Sequence, residues 1–285
     1  MSLRVVFALL ALVLVAPTTA LAQTTANAPA SATAAQAADD PDTDADLRLS
    51  QPDFTVITLP TTLRVPRFKS AFRVTHRFGR PLGQGDFGNL AEDLFGLDSG
   101  ALIGLEYRFG LARGWQAGIY RTSDRTIQFF TQYNLWQQTD KPIGFSVIAS
   151  AEGTNNFRDS YSPSLGVVVS RELGDRGALY FQPIWVNNSN PLPSAVVDDN
   201  DTVLLGFGAR IRVRPTVYLV GEVIPRLGNA PGTTQASFGL EKRAGGHTFQ
   251  INFSNGAGTT LGQVARGGTS SEDWYLGFQI SRKFF

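Results

Sequence analysis

Charged side chains recur on one alternating face of the chain, between apolar residues of the opposite phase. The basic ones are Arg73, Arg77, Arg108, Arg210, Arg212 and Lys283, and the acidic ones are Glu106, Glu222 and Glu241. If this face lines a pore, the excess of cations would attract anions, because charges in a lumen choose the sign of a permeant ion. The same residues could instead pair in a filled interior and hold the strands in register. The sequence leaves both interpretations open.

Enzymatic chemistry finds little support among the residue types. The chain has 2 histidines, His76 and His247, and no cysteine, which disfavours a transition-metal site and a thiol nucleophile. In membrane-embedded lipid hydrolases the catalytic His and Ser lie two residues apart on one strand, whereas Phe78 and Phe249 stand at that spacing here. We therefore predict no catalytic residue, no cofactor and no metal ion.

The glycines Gly83, Gly85 and Gly88 fit the GxGxxG pattern of dinucleotide-binding loops. The strand before them alternates and carries Arg73 and Arg77 on one face, and no βαβ unit follows. We interpret these residues as the glycines of a long loop.

Short alternating strands must position the charged face. Beyond Phe68, segments of roughly 8 to 12 residues alternate with period two, about the length that a tilted strand needs to cross a bilayer. Phe207 and Ile211, for example, alternate with Gly208, Arg210 and Arg212. We predict about twelve strands, near residues 68–79, 101–110, 114–122, 126–136, 142–152, 161–171, 177–187, 202–213, 216–225, 234–243, 247–254 and 273–284. The segments 51–66 and 114–136 could divide differently and change this count.

The composition of the polar phase distinguishes a membrane barrel from a soluble β-sandwich. A sandwich exposes faces rich in Lys and Glu, whereas the polar phase here is rich in Gly, Ser, Gln and Asn. Such residues fit a crowded, hydrated interior, so we predict an all-β fold, a transmembrane antiparallel up-and-down β-barrel. Aromatic residues flank many segments and would form girdles at the membrane interfaces: Phe78, Tyr107, Phe109, Trp115, Tyr120, Tyr133, Trp136, Trp185 and Trp274.

The connections between segments alternate in length, as they do in outer-membrane barrels. Long or variable ones fall at 80–100, 122–126, 153–160, 188–201, 226–233 and 255–272, and those between them are tight. An even number of strands would place both termini on one side. In the first long connection, we predict a short helix over 89–95 with Asn89 as its cap and Glu92 three residues on, lying over or inside the pore.

The N-terminal region predicts export. Arg4 precedes an apolar core, and Ala20 and Ala22 form a small-x-small site, so residues 1–22 read as a signal peptide cleaved after Ala22. Residues 23–50 are rich in Ala and Asp and read as a disordered periplasmic leader, and residues 51–285 as the barrel. Asp42, Asp44 and Asp46 have the spacing of ligands in a calcium loop, but the glycine and the glutamate of such a loop are absent from this segment.

The C-terminal strand suits recognition by the barrel assembly machinery. The residues that we expect to act as the assembly signal are Phe278, Ile280, Phe284 and Phe285, although Arg282 stands where an apolar residue is common. The other partners we expect are outer-membrane lipid and lipopolysaccharide, the latter near acidic loop residues Asp198, Asp199, Asp201, Glu272 and Asp273. A net charge of +1 argues against nucleic acid, and we expect a monomer in the bacterial outer membrane.

The stretch from Phe72 to Glu172 resembles a family of predicted bacterial outer-membrane β-barrels of uncharacterised function. The resemblance rests on His76-Arg77-Phe78, on the glycine-rich loop from Phe87 to Ser99, and on Gly104-Leu105-Glu106-Tyr107. It extends from Val65 to the C-terminus, and it implies a location without implying a chemistry.

Three functions follow in order of preference. The first is a narrow channel for small solutes, biased towards anions by Arg73, Arg77, Arg108, Arg210 and Arg212. The second is a closed structural or binding barrel whose long external loops contact a partner. An embedded hydrolase comes third.

Overall fold

The computed structural model describes residues 48–96, 100–139, 141–190, 200–228 and 232–285. Its dominant feature is one antiparallel sheet of thirteen strands that closes on itself through pairing of the first and last strands. The strands are β1 (Ser70–Phe78), β2 (Ala101–Ala112), β3 (Trp115–Thr122), β4 (Ile127–Trp136), β5 (Gly144–Gly153), β6 (Asp159–Glu172), β7 (Gly177–Val186), β8 (Thr202–Arg214), β9 (Val217–Ile224), β10 (Arg226–Gly228), β11 (Gln235–Ala244), β12 (His247–Ser254) and β13 (Tyr275–Lys283).

β9 and β10 together form one strand of the barrel wall, which is interrupted at Pro225. β9 pairs with both β8 and β11, and β10 continues the pairing with β8. Proline has no N–H to donate to the ladder, but its carbonyl accepts a hydrogen bond of 2.9 Å from the N–H of Leu205. The barrel therefore has 12 wall strands, and the predicted fold class is confirmed.

The barrel has one end with tight turns, the turn end, and an opposite loop end with longer connections. The start of β1, the end of β13 and a short 3₁₀ turn at Gly174–Arg176 lie at the turn end. Among the described residues, the loop end carries three short helical segments and a 3₁₀ turn at Leu94–Gly96. The segments are α1 (Phe87–Glu92), α2 (Thr154–Phe157), a single turn with left-handed φ values at Asn155 and Asn156, and α3 (Leu261–Arg266). The alternation of short and long connections follows the sequence prediction.

The cap of α1 differs from the prediction. Asp86 is the N-cap and accepts a hydrogen bond of 2.9 Å from the N–H of Asn89, while the Asn89 side chain accepts one of 3.3 Å from the N–H of Asp86. Both residues are good caps, and each has a suitable partner three residues on, so the spacing alone does not decide where the helix begins. No residue of α1 is buried, so this helix does not lie inside the pore.

The two faces of the strands differ as the alternation predicts. Phe207 and Ile211 are 45% and 51% exposed on the outer face, whereas Arg210 between them is fully buried. Most of the aromatic residues expected in girdles follow the outer face, but Tyr120 does not. It is buried in the lumen, where its hydroxyl lies 2.5 Å from that of Thr75, because it shares the lumen phase of β3 with Gln116.

Residues 50–65, which precede β1, lie inside the barrel and are called here the lumen hairpin. The chain enters at the turn end, reverses between Val56 and Leu59, and returns to the turn end at Phe68, whose N–H donates to the carbonyl of Gly110 at 2.8 Å. The N–H of Val56 donates to the carbonyl of Leu59 at 2.8 Å across the reversal. All residues of the hairpin except Arg64 are buried. The segment that could have added strands is therefore not part of the wall.

Three apolar clusters fix the hairpin in the lumen, and one of them also holds α3. Val56 and Ile57 form one cluster with Tyr180 and Tyr218. Leu59 shares a second cluster with wall residues such as Ile184 and Leu204 and with Leu261 and Val264 of α3. Phe54, Leu63 and Val65 form the third with Ala71, against which Phe285 packs. The apolar lumen faces of β7 and β9, which obscured the phase in the sequence, are thus covered by apolar residues of the same chain.

The predicted signal peptide and the leader up to residue 47 lie outside the described residues. Within the part of the chain that the structure describes, no helix has the length and apolar character needed to cross a bilayer.

Candidate functional site in the barrel lumen

Glu172, near the turn end, anchors the entry of the lumen hairpin. Its carboxylate accepts from a guanidinium nitrogen of Arg48 at 2.5 Å, from the hydroxyl of Ser50 at 2.5 Å and from the amide of Gln51 at 2.9 Å. Arg48 also donates to Gln137 in the neighbouring turn. One carboxylate thus holds three residues where the chain enters the barrel.

Glu222 on β9 binds the tip of the hairpin. Its carboxylate accepts hydrogen bonds from three consecutive backbone N–H groups, those of Ile57 at 3.2 Å, Thr58 at 3.0 Å and Leu59 at 3.0 Å. Successive N–H groups in a turn form a concave nest that favours an anion. Because Glu222 is buried, these donors replace the water that its charge would otherwise require.

Amide side chains of the wall bind the carbonyl groups of the hairpin. The N–H donors and carbonyl acceptors are Gln132 to Thr61 at 2.8 Å, Asn134 to Thr62 at 2.6 Å, Gln182 to Pro60 at 2.6 Å, Gln250 to Val56 at 2.8 Å, Gln279 to Ile57 at 2.8 Å and Gln116 to Leu63 at 3.1 Å. Gln116 also accepts from the N–H of Val65 at 2.9 Å. Sequence reasoning missed these residues because Gln and Asn on a polar phase also suit a lumen filled with water. Six such amides around one apolar segment before the first strand are the signal that could have revealed them.

The charged residues predicted to line the lumen lie there, with one at its rim. Arg73, Arg77, Arg108, Arg210, Glu106, Glu222 and Glu241 are all buried. Arg212 is only half-buried and donates to the carbonyls of Pro215 and Asp175 at the turn end, at 3.2 and 3.4 Å. Their effect on a permeant ion remains a prediction.

Most of these charges are paired. Glu106 binds both Arg73 and Arg108, the latter at 2.9 Å. Arg210 and Glu241 form a fully buried pair at 2.8 Å, and Arg210 also donates to the carbonyl of Thr55 in the hairpin at 2.8 Å. In this conformation the charged residues therefore pair in a filled interior, which is the second of the two interpretations that the sequence left open.

Arg77 differs from Arg73, Arg108 and Arg210 because it forms no ion pair with a carboxylate among the described residues. Its Nε and Nη1 atoms have no hydrogen-bond partner among the described residues, although the side chain is buried. The carboxylate of Glu222 attracts it electrostatically. Arg77 is thus a cation that the closed lumen leaves incompletely satisfied.

The loop end of the lumen is closed by α3. The N–H of Gly262 donates to Glu152 at 3.0 Å, and Arg266 pairs with the other oxygen of that carboxylate at 2.7 Å. Between the hairpin, α3 and the wall lies a gap of about 30 Å³ beside Arg73 and Glu106, room for about one water molecule. A wider vestibule of about 510 Å³ opens above α3 at the loop end.

The two histidines and most of the predicted assembly signal lie outside the lumen. His76 stacks on Phe278 with ring centres 4.8 Å apart, and the Nε2 of His247 lies 2.8 Å from a guanidinium nitrogen of Arg282. Ile280 and Phe284 are exposed, whereas Phe285 turns inwards. Asp198 and Asp199 lie outside the described residues, within which no cluster of three or more metal-ligating side chains occurs.

The closed wall, its apolar outer face and its polar lumen define a membrane β-barrel. Residues 53–284 match a protein family described as "Membrane bound beta barrel domain (DUF5777)", and the chain belongs to this family. No curated protein matches the chain in sequence.

The solved structures similar to this chain include a porin and an outer membrane channel. A NanC porin has a TM-score of 0.50 and 10% identity, covering 76% of this chain and 99% of the porin. An outer membrane channel from Pseudomonas putida F1 has a TM-score of 0.43 and 11% identity, and the match covers 78% of this chain and 97% of that channel. At these identities the likeness concerns the fold alone.

Proposed function

We propose that this protein is an outer-membrane channel for small solutes, with no enzymatic role, and that the lumen hairpin and α3 close it in the described conformation. In outer-membrane barrels the tight turns and both termini face the periplasm. By that rule the hairpin enters from the periplasm, and α3 and the vestibule face outwards. The likeness in fold to outer-membrane porins supports this location.

One observation carries the proposal: the lumen is filled by separable segments and not by the wall itself. None of the described strand pairings joins the hairpin to the wall. Its main chain is held by side chains, so it can leave without breaking any bond of the barrel ladder. Without the hairpin, the barrel of 12 wall strands would keep its buried charged and amide side chains, beside the apolar lumen faces of β7 and β9.

An anion preference follows from the charges that remain once the hairpin leaves. Among the described wall residues, the buried basic side chains are Arg73, Arg77, Arg108, Arg210, Arg226 and Lys283, and the buried acidic ones are Glu106, Glu152, Glu222 and Glu241. The hairpin removes the buried Asp53, and it also removes the N–H groups that hold Glu222. Cations would then exceed anions on the open wall, which favours anion passage.

A reversible disulfide tests the gate. Thr62 of the hairpin and Ser170 of the wall have hydroxyl oxygens 2.5 Å apart, and the chain has no cysteine of its own. We expect the oxidised Thr62→Cys/Ser170→Cys variant to be silent in planar bilayers and to show discrete conductance steps after reduction. The matched control is Ser237→Cys/Ser254→Cys, which joins two wall strands at hydroxyls 2.9 Å apart and should conduct equally in both states. Conductance of the locked variant equal to that of the control would refute the gate.

A closed binding barrel is the second candidate, favoured by the small gap of about 30 Å³ left in the lumen. In that case the external loops contact a partner or lipopolysaccharide, and both disulfide variants stay silent whatever their redox state. The C-terminal residues Phe278, Ile280, Phe284 and Phe285 are proposed as the assembly signal under either function.

A further inference from the structure

We infer that the barrel lumen is a binding site for a short peptide, recognised mainly through its main chain, and that the lumen hairpin is the tethered occupant of this site. The inference concerns binding only and does not depend on whether the barrel conducts. Its ligand class is a peptide of hairpin length with apolar side chains at the tip.

The contacts that hold the hairpin are directed at main-chain atoms. Glu222 accepts from three successive N–H groups, and amides of Gln132, Gln182, Gln250 and Gln279 donate to four different carbonyls at 2.6 to 2.8 Å. These wall residues come from strands all around the barrel, β4, β7, β9, β12 and β13. Every peptide carries the same N–H and C=O groups, so this set of contacts is largely independent of sequence, with the exceptions that proline introduces.

Hydrogen bonds from the wall to hairpin side chains are fewer than those to its main chain, and the apolar side chains restrict the size and polarity of the peptide residues. Leu59 packs with Ile184 and Leu204, and Val56 packs in a separate cluster with Tyr180 and Tyr218. Polar side chains of the hairpin bind the wall at a few positions, such as Asp53 to Ser281 at 2.7 Å. Main-chain bonds that supply affinity and pockets that supply preference are the division of labour seen when proteins bind extended peptides.

The buried wall amides also show why a peptide is a fitting occupant. An amide in a closed lumen must find a partner, because a buried polar group without one costs free energy. Gln116 is satisfied at both ends by Leu63 and Val65 of the hairpin. A small solute offers one or two such groups, whereas a peptide offers them at regular spacing along the whole lumen.

The test is an exchange experiment on the full chain with a specific protease site placed between Arg67 and Phe68, both exposed at the turn end. The protein is folded in detergent and then cleaved, so that the hairpin stays only by non-covalent contacts. The probe is a fluorescent synthetic peptide of residues 48–67. One control peptide is N-methylated at Thr58 and Leu59, which removes two donors to Glu222, and another carries Thr58→Ser with its main chain intact.

We expect the cleaved barrel to take up the native and Thr58→Ser peptides and to bind the methylated peptide at least about tenfold more weakly. A Glu222→Gln barrel should weaken uptake of the native peptide, whereas Glu272→Gln, on an exposed loop residue, should not. Equal binding of the methylated and native peptides would overturn the inference.

If the cleaved fragment dissociates too slowly for exchange, unfolding and refolding provide the same test. The cleaved protein is then unfolded in urea and refolded with about tenfold excess of labelled peptide, where equivalent ligands should share the sites in proportion to their concentrations. Refolded barrels that retain the fragment and exclude the labelled native peptide would also overturn the inference. Because the readout is bound fluorescence, a silent channel has no bearing on it.

Discussion

Glu222 is the acidic residue on which the position of the hairpin tip depends most directly. Its carboxylate binds three N–H groups of the tip, and bonds to a charged acceptor are stronger than bonds to a neutral one. We expect Glu222→Gln to raise amide hydrogen exchange at Ile57, Thr58 and Leu59 by about tenfold. Exchange in β11 and β12 should stay unchanged. An unchanged rate at the tip would show that the wall amides and the apolar packing hold it without Glu222.

The buried pair of Arg210 and Glu241 shows how charges inside the lumen affect the free energy of unfolding. Both side chains are fully buried, so removing one partner leaves an uncompensated charge. We expect Arg210→Met to lower the free energy of unfolding by about 3–5 kcal/mol, and the double variant Arg210→Met/Glu241→Leu to regain a large part of it. Urea unfolding in micelles measures both. A double variant that is no more stable than the single one would mean that Arg210 acts through Thr55 of the hairpin instead.

At the scale of elements, α3 depends on a glycine for its close approach to the wall. A Cβ atom at Gly262 would lie 2.4 Å from a carboxylate oxygen of Glu152. We expect Gly262→Ala to displace the helix from Glu152 and to raise the rate of proteolysis within 255–272. Gly221→Ala is the control, because its Cβ would meet nothing closer than 3.7 Å. Equal proteolysis of the two variants would show that α3 accommodates the methyl group.

The elements themselves were largely predictable, because the wall strands obey one local rule. A strand with lipid on one side and a lumen on the other must alternate, and the predicted segments 202–213 and 247–254 fall within a residue of β8 and β12. The predicted cap of α1 was wrong because two residues fit the capping-box spacing. Asp86 has Asn89 three residues on, and Asn89 has Glu92. The lumen hairpin was missed because it alternates poorly, and its backbone is satisfied by distant side chains and not by neighbouring strands.

At the scale of the whole molecule, the outer face should behave as a lipid-facing surface. Leu240, in the middle of β11, is 55% exposed, and Phe284 at the strand end is 49% exposed. We expect Leu240→Arg to cost about 2–4 kcal/mol of folding free energy in lipid vesicles and Phe284→Arg about 0–1, because the cost of a charge falls from the bilayer midplane to the interface. Equal costs at the two positions would contradict this placement in the membrane.

Local sequence patterns are sufficient to specify the wall of this protein: its alternating strands, its turn and loop ends, and the charges that face inwards. These properties are local, since period-two alternation and turn residues act within a few positions of one another. The identity of the segment that occupies the lumen depends instead on contacts between residues far apart in the chain. Glu222 meets Ile57 across 165 positions of sequence, and Gln279 meets the same residue across 222. Such contacts depend on the closure of the barrel, which brings all strands around one axis, and no local pattern records which segment then fills it.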